Sequence, residues 1–222
     1  MASPAKSPVD RPRPSRRRTQ AERSASTQSR LLDATLGCLV EQGYARTTIA
    51  EIEARAGVSR GARLHHFGTK ALLVTAAVDR LYQTIEQRYG EAMARVAPDA
   101  DRFRAGFRLL WETYVDPTHA AVLELYVAAR TDPELRETLR ELSRSHHQLV
   151  RRRANEYFPN LANRDASGLL ETLQAALTGL AVRRMVFGER VHDEQVLALI
   201  ERMVKRTLEA PRSRPRNKET SS

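Results

Sequence analysis

A cluster of polar and basic side chains lies in a short segment near the amino end of the chain. Ser59, Arg60, Arg63, His65 and His66 fall within eight residues of one another. An arginine can donate two hydrogen bonds to the O6 and N7 atoms of guanine, and hydroxyl or imidazole groups can bond to bases or phosphates. The cluster therefore predicts hydrogen bonding to a nucleic acid.

The elements that would position these side chains are two short helices, over about residues 47–56 and 59–67. Small residues, Ala56 and Gly57, stand at the bend between them, and the apolar Val58 follows as an anchor. A helix-turn-helix has this arrangement, and its second helix enters the major groove of DNA. A glycine at a bend is common in helical hairpins, so this pattern by itself also fits an ordinary helical pair.

Apolar residues recur at helical spacing almost throughout the chain, and we find no strand alternation or hairpin dipeptide. The prediction is an all-α protein of about nine helices, with three N-terminal helices followed by a helical bundle. Gly43 is expected to end the first helix and Thr69 to cap the fourth. The apolar pattern of the fourth helix weakens after Tyr89, where this helix is expected to end. The pattern of the sixth helix is recognisable from Leu123 onward.

Positive charge is concentrated at both ends of the chain. The formal net charge is +10; residues 1–30 carry eight Lys or Arg against two acidic residues, and residues 205–222 carry six against two. Residues 43–70 add five basic against two acidic side chains. The ends are predicted to be disordered, and two interpretations stay open: solubilising segments, or basic arms that contact DNA phosphates.

The sequence gives little support to a disulfide, a metal site, a membrane span or an enzymatic site. The single cysteine, Cys38, is expected to pack as a small apolar residue, and no apolar run is long enough to cross a membrane. The His65–His66 and His146–His147 pairs are not expected to bind metal, because adjacent helical residues point about 100° apart. Phosphate-binding glycine loops and hydrolase motifs are absent. We expect a cytoplasmic protein without cofactor, metal or enzymatic activity.

Three stretches in fixed order resemble a known family. They are Gly-Tyr-Ala-Arg-Thr-Thr-Ile-Ala-Glu-Ile at 43–52, Ala-Gly-Val-Ser-Arg-Gly at 56–61 and His-Phe-Gly-Thr-Lys at 66–70. Over about residues 25–85 the chain resembles the N-terminal domain of the TetR (tetracycline repressor-like) regulators of bacterial transcription.

The resemblance implies a ligand-responsive repressor that binds a palindromic operator as a homodimer. The domains expected are a disordered basic arm (1–24), a helix-turn-helix domain (25–85), an effector-binding and dimerisation domain (86–209) and a disordered basic tail (210–222). An effector-independent architectural DNA binder, driven by the basic ends, is the alternative.

The resemblance also assigns roles to residues. The expected DNA contacts are Thr47, Thr48, Ser59, Arg60, Gly61, Ala62, Arg63, His65, His66 and Lys70. Within this set, Thr47, Thr48 and Lys70 are expected to meet phosphates. Arg60 and Arg63 are the candidates for guanine.

Two positions depart from the family pattern. Arg63–Leu64 stands where an aliphatic residue followed by tyrosine is usual, so we expect Leu64 to take the buried place and Arg63 to turn outward. Glu53 replaces the usual alanine in the second helix, and we expect it to pair with a nearby arginine.

The C-terminal part carries two further expectations. A small, largely apolar effector is implied, and the candidates for its pocket are Phe107, Trp111, Tyr114, Tyr126 and Arg130. An aromatic stripe at helical spacing is also what an ordinary core contains. Apolar faces too broad for one side of a small bundle predict an intermolecular four-helix interface. Its candidate residues are Leu169, Leu173, Leu177, Leu180, Val196, Ile200 and Met203.

Overall fold

The computed structural model describes residues 19–159, 166–189 and 191–209. Within these ranges the chain forms nine α-helices and no strand, as the periodicity predicts. The helices are α1 (Gln20–Arg46), α2 (Ile49–Ala56), α3 (Arg60–His66), α4 (Lys70–Ala94), α5 (Arg102–Tyr114), α6 (Pro117–Ala128), α7 (Pro133–Tyr157), α8 (Ala166–Phe187) and α9 (Val191–Glu209). The C-terminal tail and residues 1–18 of the expected arm lie outside the described residues.

Capping side chains set most of the helix starts. The hydroxyls of Thr48, Ser59 and Thr69 accept hydrogen bonds from backbone N–H groups in the first turns of α2, α3 and α4. Gly57 ends α2 in the left-handed conformation, with φ of 59°. The Thr69 cap and the bend at Gly57 were expected from the sequence.

Four boundaries differ from the prediction. Thr19 and Glu22 form a capping box that starts α1 at Gln20, so residues 20–24 are helical and do not belong to the basic arm. Gly43 breaks the helical geometry with φ of 76°, but a last turn continues to Arg46. Asp116 caps α6, which therefore begins at Pro117, and α4 continues to Ala94.

The buried side chains form three clusters. A head cluster joins α1, α2, α3 and the start of α4 around Leu31, Ile52 and Leu73. A middle cluster joins α1, α4, α6 and α7 around Val78 and Leu125. A third cluster joins α5, α8 and α9. Because α4 contributes to both the head and the middle clusters, it connects the helix-turn-helix rigidly to the rest of the subunit. Cys38 is buried in the head cluster, where burial raises the pKa of its thiol.

None of the helices in the described part of the chain is long and apolar enough to span a bilayer.

Candidate nucleic-acid interface and ligand cavity

The third helix presents one exposed face. Arg60, Gly61, Leu64 and His65 are exposed on it, and Arg60 has no ion-pair partner among the described residues. Residues at spacings of three and four share one side of a helix. The face therefore offers a guanidinium, an imidazole and an apolar side chain to an external surface.

Arg63 has the opposite orientation to the one expected. It is only 6% exposed, its Nε donates to Oε1 of Glu53 at 2.9 Å, and its Nη1 donates to the carbonyls of Phe67 and Gly68 at 3.1 and 3.2 Å. A buried guanidinium with these partners cannot reach a base. The expectation that Arg63 reads guanine is wrong, whereas the expected pairing of Glu53 with an arginine is confirmed.

Leu64 is 48% exposed, so the expectation that it fills the buried position is also wrong. The reason lies in helix geometry: Arg63 and Phe67 are four residues apart and share the inward face, whereas Leu64 shares the outward face with Arg60 and Gly61. The spacing alone could have shown this, but the charge of Arg63 argued against burying it.

The three residues expected to contact phosphates differ in exposure and in their hydrogen-bond partners. Thr47 is buried, and its hydroxyl donates to the carbonyl of Gly43 at 2.7 Å, so this side chain is not available to a phosphate. Thr48 is exposed at the start of α2. Nζ of Lys70 donates to the carbonyl of Tyr44 at 2.7 Å and lies 3.8 Å from the centre of the Tyr44 ring. Burial lowers the pKa of Lys70.

The remaining residues expected to contact DNA lie in α3 or cap it. Ser59 is exposed and caps α3, with its hydroxyl 3.3 Å from the amide nitrogen of Ala62. Ala62 and His66 are half-buried and pack toward the protein. A Cβ added to Gly61 would meet no protein atom within 4 Å. Packing within the subunit therefore does not require glycine at this position.

The helical body contains a cavity of about 180 Å³ that is partly open to solvent. Aromatic side chains from α4 and α5 form much of its wall, among them Tyr82, Tyr89, Phe103, Phe107 and Tyr114. Helices α7, α8 and α9 contribute mostly aliphatic residues. The walls are therefore largely apolar, as in small-molecule sites that fix a ligand with few polar groups.

Four ionisable side chains other than tyrosine line the cavity among the described residues: Glu86, His119, His146 and Arg153. Nε of Arg153 donates to Oε1 of Glu86 at 2.5 Å, and its Nη1 donates to Glu156 at 2.8 Å. Burial lowers the pKa of both histidines, that of His146 to about 4. Both imidazoles are therefore neutral at pH 7.

Of the five expected effector residues, Phe107 and Tyr114 line this cavity, but Trp111, Tyr126 and Arg130 do not. Trp111 packs against the cluster of α5, α8 and α9, and Arg130 is exposed after the end of α6. Tyr126 is half-exposed, with its hydroxyl 3.2 Å from that of Tyr82. Trp111 lies on α5 with Phe107 and Tyr114, whereas Tyr126 belongs to α6 and Arg130 follows it; how these helices pack decides which side chains reach the cavity.

Comparisons with known proteins agree with this arrangement of an N-terminal head and a helical body. A family model described as bacterial regulatory proteins, tetR family, matches residues 31–77. A second, described as the C-terminal part of BetI-type transcriptional repressors, matches residues 99–209. The HTH-type transcriptional regulator CymR of Pseudomonas putida is 36% identical over 82% of this chain and 90% of its own length. The chain belongs to the TetR family.

Two further proteins are similar to this TetR-family chain over most of its length, at lower identity. The HTH-type transcriptional regulator BetI of Brucella anthropi is 28% identical over 77% of this chain and 88% of its own length. A transcriptional regulator of Streptomyces coelicolor A3(2) has a solved structure that superposes with a TM-score of 0.62 at 26% identity, covering 81% of this chain and 98% of that one. The protein is thus a DNA-binding transcriptional regulator of this family.

In this TetR-family subunit, the candidate dimerisation residues do not share one surface. Leu173, Leu177 and Leu180 are buried inside the subunit, in the cluster with α5, and Leu169 packs against it. These four are core residues, so their assignment to the interface is corrected. Val196 and Ile200 are half-buried, and Met203 is 60% exposed.

The exposed apolar surface of α8 and α9 is a different set, defined here as the α8–α9 face. Its members are the large apolar side chains that remain exposed in the subunit: Val182, Met185, Val186, Phe187, Leu199 and Met203. Of the predicted interface residues, Met203 belongs to this face; on α8 the sequence did not separate the exposed side from the core side, because both are apolar.

Proposed function

We propose that this protein is a repressor that binds a palindromic operator as a homodimer and releases it when a small, largely apolar effector occupies the cavity. The observation that carries the proposal is the exposed face of α3. Arg60, Gly61, Leu64 and His65 are exposed, while Arg63 and the C-cap residue Phe67 are buried and fix the helix to the head.

Each exposed side chain suits a particular contact in the major groove. The guanidinium of Arg60 is positioned to donate to a guanine edge, and Leu64 offers an apolar surface to a thymine methyl group. Gly61 allows the backbone of α3 to approach the bases closely, since nothing in the protein occupies its side-chain space. The exposed N-terminus of α2 at Thr48 suits a phosphate.

The α8–α9 face supports the homodimer. It gathers six large exposed apolar side chains on two helices that pack against each other. Several large apolar side chains exposed on one pair of helices are typical of a protein–protein interface. A two-fold axis at this face would join two copies in a four-helix interface and leave both heads free to occupy two half-sites.

Helix α4 is the physical link between cavity and DNA. Tyr82, Ile85 and Tyr89 of α4 line the cavity, while Leu73 and Ala77, nearer its start, belong to the head cluster. A ligand that displaces the middle of α4 must therefore move the head. Because a dimer needs both heads at the spacing of the half-sites, a small displacement lowers operator affinity.

Selection of bound fragments from random DNA tests the DNA-binding part. The expected result is a palindrome whose half-sites are one helical turn or a multiple apart. On that site Arg60→Ala should lower the binding free energy by about 1–3 kcal/mol, while deletion of residues 1–18 should weaken binding to all DNA evenly. If the deletion abolished binding and Arg60→Ala had no effect, the architectural alternative would be correct.

A further inference from the structure

The cavity contains a polar group without a protein partner. Both ring nitrogens of His119 are buried, and neither has a hydrogen-bond partner among the described residues. His119 belongs to the first turn of α6, and its ring lies 4.5 Å from the ring of Tyr114, centre to centre. Buried polar groups are nearly always paired, so an unpaired imidazole in a cavity wall points to a missing hydrogen-bonding partner.

The second imidazole of the cavity is already engaged. The ring of His146 stacks on that of Tyr82 at 3.9 Å with an angle of 17° between the planes. The hydroxyl of Tyr82 lies 3.2 Å from that of Tyr126. His119 differs in that both of its ring nitrogens are buried without a partner among the described residues, so a ligand can supply a hydrogen bond there.

The charges of the cavity wall cancel. Arg153 is the cation among the described lining residues, and its guanidinium is bonded to the carboxylates of Glu86 and Glu156. This ion pair is partly exposed. A charged ligand would have to compete with it or lie against the apolar walls without a counter-charge, and either costs free energy. An uncharged ligand has neither cost.

The volume of the cavity and the side chains of its walls restrict the shape of a ligand. Cavities of about 150 Å³ lined by apolar side chains bind benzene, so a cavity of about 180 Å³ holds roughly one substituted ring. Tyr82, Tyr89, Phe103, Phe107 and Tyr114 supply aromatic surfaces for stacked or edge contacts with such a ring.

We propose that the cavity binds an uncharged compound of one aromatic ring carrying a hydroxyl group, and that this hydroxyl hydrogen-bonds to His119. The proposal rests on the effector role proposed above. A neutral imidazole has one donor and one acceptor nitrogen, and a hydroxyl can satisfy either. The apolar remainder of the ligand contacts the aromatic wall.

Four probes of similar size separate the possibilities: toluene, 4-methylphenol, 4-methylbenzoate and 4-methylbenzylamine. Their affinities for the full-length protein without DNA are measured at pH 7.5 by calorimetry and ligand-observed NMR. We expect 4-methylphenol to bind about tenfold more tightly than toluene, in line with one hydrogen bond in an apolar site, and the two charged probes to bind more weakly than either.

Two variants locate the hydrogen bond. His119→Leu should remove the preference for 4-methylphenol while leaving toluene binding within about twofold, and His119→Gln should retain part of the preference, because its amide also has a donor and an acceptor. His147→Gln, an exposed position on α7, is the matched control and should change neither. Retained toluene binding shows that the cavity of a His119 variant is intact.

Three results would overturn the proposal. Equal affinity for toluene and 4-methylphenol would show that His119 makes no contact. Tighter binding of 4-methylbenzoate would show that the site takes an anion. No binding of any probe would show that the cavity is not a ligand site. Operator release is measured separately: if 4-methylphenol binds as expected but the operator stays bound, the ligand class stands and the proposed effector role fails.

Discussion

The hydroxyl of Tyr44, in the last turn of α1, donates a hydrogen bond to Oδ2 of Asp132 at 2.8 Å. Asp132 is also the N-cap of α7, where its Oδ1 accepts from the backbone N–H of Leu135. Burial raises the pKa of Tyr44, and the Leu135 amide, followed by the Tyr44 hydroxyl, lowers the pKa of Asp132. One carboxylate therefore ties the head to the start of a helix that lines the cavity.

Tyr44→Phe should lower the free energy of unfolding by about 1–2 kcal/mol, because it removes a half-buried hydrogen bond to a charged acceptor. The ring under Lys70 and the backbone contacts of residue 44 are retained. A double-mutant cycle with Asp132→Ala, measured by urea titration, should give a coupling energy of about 1 kcal/mol. Additive effects of the two substitutions would show that the bond contributes nothing to stability.

The Arg63–Glu53 pair predicts that one substitution destabilises more than two. Arg63→Leu leaves the mostly buried carboxylate of Glu53 and two carbonyls without a donor, and should cost about 2–4 kcal/mol in unfolding free energy. Glu53→Ala together with Arg63→Leu should recover most of that loss, since no charge is then left unpaired.

Arg60→Ala is the control for this pair. Arg60 is exposed and without an ion-pair partner among the described residues, so its loss should change stability by less than about 0.5 kcal/mol. Urea titration measures all of these variants. If the double variant were no more stable than Arg63→Leu, the buried ion pair would not explain the orientation of Arg63.

Sequence reasoning succeeded where a single residue sets local geometry. Thr48, Gly57, Ser59 and Thr69 place the ends of α2, α3 and α4 through their own backbone and capping preferences. It failed for Arg63, because the charge of this residue argued against burial although its spacing from Phe67 placed both on the inward face.

The cavity was predictable in kind but not in detail. An aromatic stripe in α5 indicated an apolar site, yet the unpaired nitrogens of His119 arise from how α6 packs against α5 and α7. Likewise α8 is apolar on both sides, so the sequence could not tell the core side with Leu177 from the exposed side with Val186. Tertiary packing decided each of these outcomes.

Gly61→Ala should have opposite effects on stability and on DNA binding. Alanine has a higher helix propensity, and no protein atom lies near the added Cβ, so α3 should gain up to about 1 kcal/mol. Operator affinity should fall about tenfold or more, because the methyl group enters the space between α3 and the bases. Thermal unfolding and fluorescence anisotropy measure the two effects. Unchanged operator affinity would show that this face does not approach DNA.

A charge placed in the α8–α9 face should dissociate the dimer. Val186 is 68% exposed in the subunit, and Val186→Asp would place a carboxylate near its symmetry-related copy, in an apolar interface. Sedimentation velocity should show monomers at micromolar concentration. Val127→Asp on α6, where the side chain is 71% exposed, is the matched control and should leave the dimer intact. Dissociation by both substitutions, or by neither, would contradict the assignment of this face.

The imidazole of His146 predicts a loss of stability at mildly acidic pH. Burial, with smaller contributions from His147 and His119, lowers its pKa to about 4 in the folded protein, and the ring of Tyr82 stacks on it. In the unfolded chain it titrates near its ordinary value of about 6.5. Between these two values the unfolded state binds a proton that the folded state does not, so stability is fully present above pH 6.5 and declines as the pH falls toward 4.

The decline due to His146 should approach about 1.4 kcal/mol per pH unit between pH 6 and pH 4.5. His146→Gln should flatten the dependence of unfolding free energy on pH in this range, whereas His147→Gln, at an exposed neighbouring position, should change the slope much less, because burial is the main cause of the lowered pKa of His146. Urea titrations from pH 7.5 to 4.5 measure the slopes. Because His119 is also buried and its pKa is also lowered, a smaller slope should persist in His146→Gln and disappear when His119→Gln is added. Equal slopes in the wild-type protein and His146→Gln would show that the stacked imidazole takes up its proton as readily in the folded state as in the unfolded one.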